Sequence, residues 1–145
     1  MADERLLRII DANANRTREA LRVTEDLLRF WSEDALLSRR LKRERHQVGR
    51  LCDGLLRKGS RGLSARRTAT DPGRDSMPAS EATRRGVTDV LISNFRRAEE
   101  ALRVLEEVSK LVDASASRSF KRSRFRVYEL EKACVVAMER RLAGA

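Results

Sequence analysis

Between residues 3 and 31 the apolar letters Leu6, Ile9, Ile10, Ala20, Val23, Leu27 and Phe30 fall at helical spacing, with polar residues between them. That is the mark of a helix buried along one face. Asp3 stands where an N-cap is needed, so the pattern predicts a helix from Asp3 to Trp31. Ser32-Glu33-Asp34 is a second capping signal, and Leu37, Leu41, Val48, Cys52 and Leu55 form the next stripe, which Gly59 ends. The two stretches together predict an αα-hairpin. Residues 59–80, "GSRGLSARRTATDPGRDSMPAS", have no apolar period and hold both prolines, so they are expected to form a loop. Loops of such length inside compact domains are usually functional or disordered. The period resumes through Val87, Leu91, Ala98, Ala101, Leu105, Val108 and Val112, breaks near Asp113, and runs again from Ser117 to Leu142. This predicts a second hairpin.

The two halves share letters. "RTREALRVTEDL" at 16–27 aligns with "RAEEALRVLEEV" at 97–108 at an offset of 81, matching at Arg16/Arg97, Glu19/Glu100, Ala20/Ala101, Leu21/Leu102, Arg22/Arg103, Val23/Val104 and Glu25/Glu106. "LKRERHQV" at 41–48 aligns with "FKRSRFRV" at 120–127 at an offset of 79. One amphipathic hairpin cannot bury its stripe alone, whereas two can close around a shared core. The expected fold is therefore all-α, with duplicated αα-hairpins related by a pseudo-two-fold in a four-helix arrangement. Its halves would be residues 3–58 and 81–142, joined by the long central loop, in one domain over 1–145.

Some polar letters fall on the apolar stripes. On a helical wheel of about 100° per residue, Asn94 shares the stripe of Leu91, Ala98, Leu105 and Val112, and Asn13 does so by the repeat. Arg16 and Arg97 lie on its border, while Arg124 and Glu131 fall among Phe120, Val127, Cys134 and Met138, with Arg45 as the repeat mate of Arg124. Buried polar groups survive only as a satisfied network or as a ligand site. Both readings stand: Arg124 or Arg97 neutralising Glu131, or an anion pocket between the helices. Arg22 and Arg103 point away from the core, and Glu99, Arg103 and Glu107 at i, i+4 spacing describe a solvated, ion-paired face.

Composition sharpens this picture. Aromatics are only 4% of the 145 residues, so Leu, Val, Ile and Ala must fill the core, as in helical proteins. Thirty-two Lys and Arg against 22 acidic residues leave a net charge of +10, carried mainly by Arg. Guanidinium suits bidentate contact with oxyanions, so phosphate is the natural partner chemistry. Nucleic acid is not expected as a partner, because basic letters alternate with acidic ones along the helices, aromatics are few and there is no helix-turn-helix phrase. No P-loop, no Ser-His-Asp set and no zinc spacing occurs, and Cys52 and Cys134 read as small buried hydrophobes in a reducing compartment. No apolar run reaches membrane-spanning length and no signal peptide opens the chain, so the expected location is the cytoplasm. In the loop, Arg61, Arg66, Arg67 and Arg74 surround Asp71-Pro72-Gly73. These residues could hold phosphates and, through Asp71 or Asp75, a magnesium ion. The same stretch also reads as a solvated, charged linker.

The phrases "DANANRTREALRVTEDLLRF" at 11–30, "ARRTATDPG" at 65–73, "SNFRRAEEALRVLEEVSKL" at 93–111 and "FKRSRFRVYELEK" at 120–132 together resemble one bacterial family. It is the small helical domain found alone or fused ahead of thiamine phosphate synthase, understood as a monofunctional hydroxymethylpyrimidine phosphate kinase. The resemblance implies ATP and Mg²⁺ as cofactors, a phosphorylated pyrimidine as substrate, and thiamine phosphate synthase as consumer of the product. Within that frame Arg16, Arg97 and Arg124 are expected as catalytic groups on phosphates. Asn13, Asn94, Arg66, Tyr128 and Glu131 are expected to bind substrate, and Asp71 to bind the metal. One letter departs from the family: its loop carries Arg-Asp-Thr where this chain has Arg66-Arg67-Thr68, which leaves Asp71 as the metal-binding carboxylate. The alternative is a non-catalytic helical partner or regulator of the synthase. Trp31 or the outer face of the second helix could seat a second copy and give a homodimer.

Overall fold

The computed structural model describes residues 3–56 and 61–144. Among them there is no strand, and the architecture is all-α. Helix α1 spans Glu4–Asp26, started by the Asp3 carboxylate, which accepts from Arg5 N at 2.9 Å. It widens into a π-type turn, Leu27–Trp31, where Ser32 N donates to the Leu27 carbonyl at 3.1 Å. Glu33 at φ 56° turns the chain, and α2 runs from Ala35 to Leu55 with Asp34 as its cap, accepting from Leu37 N at 2.9 Å. Short helices α3, Arg61–Ala65, and α4, Ala79–Ala82, punctuate the connection to α5, Val87–Ser109. Asp113 then caps α6, Ala114–Ala143, accepting from Ser115 N at 2.8 Å and Ala116 N at 3.4 Å.

The four long helices close a ring in which α1 packs on α2 and α5, and α6 packs on α5 and α2. The core between them holds Ile10, Leu28, Leu41, Phe95, Phe120 and Met138, all sealed from water. The expected stripes of the second to fourth long helices run through this core. That of α1 is turned: Ile9, Val23 and Phe30 are exposed, and the buried line runs Ile10, Ala14, Thr17, Leu21, Thr24, Leu28. Threonine makes the difference. Thr17 and Thr24 each donate to a carbonyl of the preceding turn at 2.9 Å, so their hydroxyls are satisfied and the residues can sit inside. A stripe drawn from apolar letters alone misses them.

The stretch expected as an uninterrupted loop is also more ordered than its letters suggest. Helix α3 packs on α1, and Thr68–Thr70 form a 3₁₀ turn. Gly59, expected to end the second helix, lies outside the described residues.

Among the buried carboxylates, two sit between the helices of a hairpin. Glu25, 2% exposed, accepts from Arg45 Nε across the α1–α2 contact at 2.9 Å, with Arg22 Nη1 at 3.7 Å. Glu106, 5% exposed, accepts from Arg124 Nε across the α5–α6 contact at 2.9 Å and from Arg103 Nη1 at 2.9 Å. These residues are equivalents in the repeat. Asn13 and Asn94 are equivalents too, and each donates to the carbonyl four residues back, Ile9 or Val90, at 2.9 Å. Arg126 of α6 holds Glu44 of α2 with two bonds, 2.7 and 3.1 Å, which ties the hairpins together.

Removing one partner of such a pair leaves a charge in low dielectric. Arg45→Met should cost about 3 kcal/mol of unfolding free energy, the low end for a buried pair because Arg22 remains near Glu25. Urea denaturation followed by circular dichroism measures it, and an unchanged midpoint would show that the pair does not brace the hairpin.

Candidate functional site

The first half of α1 and the chain after α3 enclose a cleft of about 690 Å³. Beside it, α3 makes a close approach to α1. A Cβ on Gly62 would lie 2.9 Å from Asp11 Oδ1 and 3.2 Å from Leu56 Cδ1, so a larger residue there would have to displace the Asp11 carboxylate. Four residues later Arg66 reaches back to Asp11, with Nε to Oδ2 at 2.6 Å and Nη2 to Oδ1 at 3.0 Å. This bond to the carboxylate raises the pKa of a guanidinium that is already cationic. Beyond Arg66, Arg67, Thr68 and Asp71 form the outer wall, while Arg5, Arg8 and Arg16 face them from α1. Five guanidiniums thus surround one concave surface. Asn13 lies within it, fixed by its bond to Ile9 and by accepting from Arg16 Nη1 at 3.3 Å. Asp71 heads a tight turn: its Oδ1 accepts from Gly73 N at 2.9 Å and its carbonyl from Arg74 N at 3.1 Å. It is the one exposed carboxylate on the wall.

The model of the ThiD2 family matches residues 8–133, which takes in all of this cleft except Arg5. The chain belongs to the ThiD2 family. It is 44% identical, over 98% of its own length and 40% of the relative's, to a thiamine-phosphate synthase of Thermosynechococcus vestitus. It is 41% identical to one of Nostoc punctiforme, over 86% of this chain and 34% of that one. A third, of Rhodopirellula baltica, is 34% identical over 97% and 38%. The chain therefore spans about two fifths of the length of the curated relatives it matches. No solved structure matches it.

Against this geometry, the residues expected to share one interior hollow divide. Asn13, Arg16, Arg66 and Asp71 line the cleft on α1. Arg124 and Tyr128 instead line a smaller one of about 380 Å³ between α5 and α6, with Arg96, Glu99, Glu100 and Arg103. Arg124 is committed there, to Glu106 and to the Tyr128 hydroxyl at 2.9 Å. Asn94 is half-buried and bonded to Val90, Arg97 is exposed, and neither lines either cleft. The core position beside Asn94 is taken by Phe95. Only Val104 reaches the α1 cleft from the second hairpin. A wheel shows which face of a helix a residue occupies, not which neighbour covers that face, so the expected convergence of the two halves does not occur.

Glu131 is not neutralised by Arg124 or Arg97. It lies against Glu99, whose Oε1 is sealed from water and receives no hydrogen bond. Burial and the neighbouring Glu131 charge push the Glu99 carboxyl up to about 8, so near neutral pH it holds a proton that it can donate to Glu131.

Arg5, Arg8 and Thr68 were not singled out from the letters, and Asp11, which opens the first phrase of the family resemblance, was given no place in the site. The available signals were an acid directly after the apolar pair Ile9-Ile10 and a glycine four residues before an arginine. Neither shows that two segments 55 residues apart meet. His46 is exposed, and Cys52 and Cys134 are buried thiols pushed up to about 12 by desolvation, unfit as nucleophiles. Among the described residues no cluster of three or more His, Cys, Asp or Glu could hold a metal by itself, and no helix is long and apolar enough to cross a membrane.

Glu99 makes stability depend on pH. The unfolded chain loses this proton at the ordinary glutamate value of 4.5 and the folded chain only near 8, so the folded state binds more protons between them. Stability should fall as pH rises through that window and level off above it. Glu99→Gln should remove this part of the slope, as read from melting temperatures between pH 5 and 9; an identical slope in the variant would refute the shared proton.

Proposed function

We propose that this ThiD2 domain transfers the γ-phosphoryl group of ATP to hydroxymethylpyrimidine phosphate, giving the diphosphate used to make thiamine phosphate. The observation that carries the reading is the cleft itself: Arg5, Arg8, Arg16, Arg66 and Arg67 face a common space beside one open carboxylate, with no histidine, cysteine or catalytic triad. Phosphoryl transfer asks for positioning and charge neutralisation more than for a nucleophilic side chain. The nucleophile comes from the substrate. An oxygen of the pyrimidine phosphate attacks the γ-phosphorus, the bond from that phosphorus to the β,γ-bridging oxygen breaks, and ADP leaves with the electron pair. A phosphate monoester has its second pKa near 6, so the attacking group is already a dianion and needs no general base. The names of the relatives place them in thiamine phosphate synthesis, which supports this choice of substrate.

Magnesium fits the residues present in one manner. Asp71 has one oxygen engaged by Gly73 and the other open. A single carboxylate suffices when phosphates and waters complete the shell. The ion would enter with the nucleotide, beside Asp71, and supply charge neutralisation at the phosphates. Asp11 is not available to it, being held by Arg66. Arg67, where the family resemblance expects an acid, adds a cation to the same wall.

A second reading is a non-catalytic partner or regulator of thiamine phosphate synthase, favoured by the observation that the relatives carry this domain within a much longer chain. ADP release measured with hydroxymethylpyrimidine phosphate and Mg-ATP separates the two. The kinase reading expects substrate-dependent ADP, abolished by chelating the metal. Arg16→Ala should lower kcat/KM by about 100-fold, the usual loss for one donor to transition-state charge, whereas Arg97→Ala, outside the cleft, should cost far less. Equal losses at both would move the site away from α1, and no turnover in the unaltered chain would leave the partner reading.

A further inference from the structure

We infer that Asp11 is a positioning residue: it aims the Arg66 guanidinium into the α1 cleft as a preset site for a diphosphate-type anion, and Gly62 is the slot that allows it. The inference rests on the cleft being an anion site, and extends it to a residue that touches no ligand.

The geometry is specific. Asp11 is 7% exposed, on the buried side of α1, and its carboxylate receives Nε and Nη2 of Arg66 side-on, with Asn15 Nδ2 at 3.5 Å as a weaker third neighbour. A guanidinium has five N–H donors. Side-on pairing takes one from Nε and one from Nη2, which leaves both hydrogens of Nη1 and one of Nη2 on the opposite edge. That free edge belongs to a side chain lining the cleft, 39% exposed, so it meets solvent and any anion there. An arginine held in this way has already given up most of its rotamers before a ligand arrives.

An aspartate withdrawn from water costs free energy that a partly exposed arginine offsets only in part. In addition, α3 approaches so closely that a methyl group at position 62 would press on Asp11 Oδ1 at 2.9 Å and displace the carboxylate. Three positions on two segments are therefore shaped around one contact. Its effect is to hold the chain after α3, including Arg67, Thr68 and Asp71, against α1 as the outer wall of the cleft.

Positioning and simple charge predict opposite signs. Asp11→Asn removes a negative charge beside an anion site, so bulk electrostatics alone would tighten anion binding. If Asp11 acts by aiming Arg66, the same change weakens it. Isothermal titration of inorganic pyrophosphate into the full chain reads this directly, independently of any kinase turnover. We expect Asp11→Asn and Arg66→Lys each to weaken pyrophosphate about tenfold, the loss of one well-placed charged hydrogen-bonding group, and Gly62→Ala to weaken it in the same direction. In an Arg66→Ala background Asp11→Asn should weaken nothing further, because the residue it acts through is gone. Pyrophosphate bound by Asp11→Asn as tightly as by the unaltered chain, or tighter, overturns the inference while leaving the cleft reading intact. So does a further loss from Asp11→Asn in the Arg66→Ala background. No binding to the unaltered chain overturns both. Should Asp11→Asn fail to fold, Arg66→Lys, which keeps every charge and removes only the side-on geometry, carries the test: undiminished binding there overturns the inference.

Discussion

Two carboxylates with no water to solvate them govern this bundle. Glu25 and Glu106 sit where helices meet, and a carboxylate in that setting is tolerable only with a cation held against it. The cation comes each time from the other helix of the hairpin, Arg45 or Arg124, steadied by an arginine one turn away on the same helix, Arg22 or Arg103. Hydrophobic contact is non-directional and would accept neighbouring registers of two leucine-rich helices. A buried ion pair accepts few. These contacts therefore pin how α2 lies on α1 and α6 on α5, and Arg126 on Glu44 pins one hairpin to the other.

That division of labour explains why a chain of charge +10 is not simply a sticky basic surface. Arg45, Arg124 and Arg126 are committed to carboxylates inside or between the hairpins. The arginines of the α1 cleft are differently placed, gathered where α1 and the chain after α3 face each other across open space. Arg66 belongs to both groups, bound to Asp11 on one edge and open on the other. The halves also differ in their surroundings for a structural reason. Asn94 and Arg97 have the same letters as Asn13 and Arg16, yet among the described residues the connecting segment packs on α1. Without that second wall, equivalent letters on α5 remain on an open helix face.

Much of this was readable from the letters because it is local. Helix periods, the Asp3 and Asp34 caps and the cores of the last three long helices depend on residues a turn or two apart, and such spacing is visible in one dimension. The α1 stripe was misread because Thr17 and Thr24 satisfy their hydroxyls on their own backbone and so pass for core residues. The excess of arginine was readable too, and with it the expectation of an anionic partner.

Which arginines gather at the α1 cleft was decided only by the folded chain. Placing Arg66 on Asp11 requires α3 to lie close on α1, between positions 55 residues apart in sequence, with Gly62 against the Asp11 carboxylate. Placing Arg124 on Glu106, away from any shared hollow, depends on which helix covers its face. Periodicity states the direction a side chain leaves its helix. The identity of what meets it there is a property of the packing, because contacts between distant segments arise from shape and charge fitting in three dimensions, and no spacing within either segment encodes them.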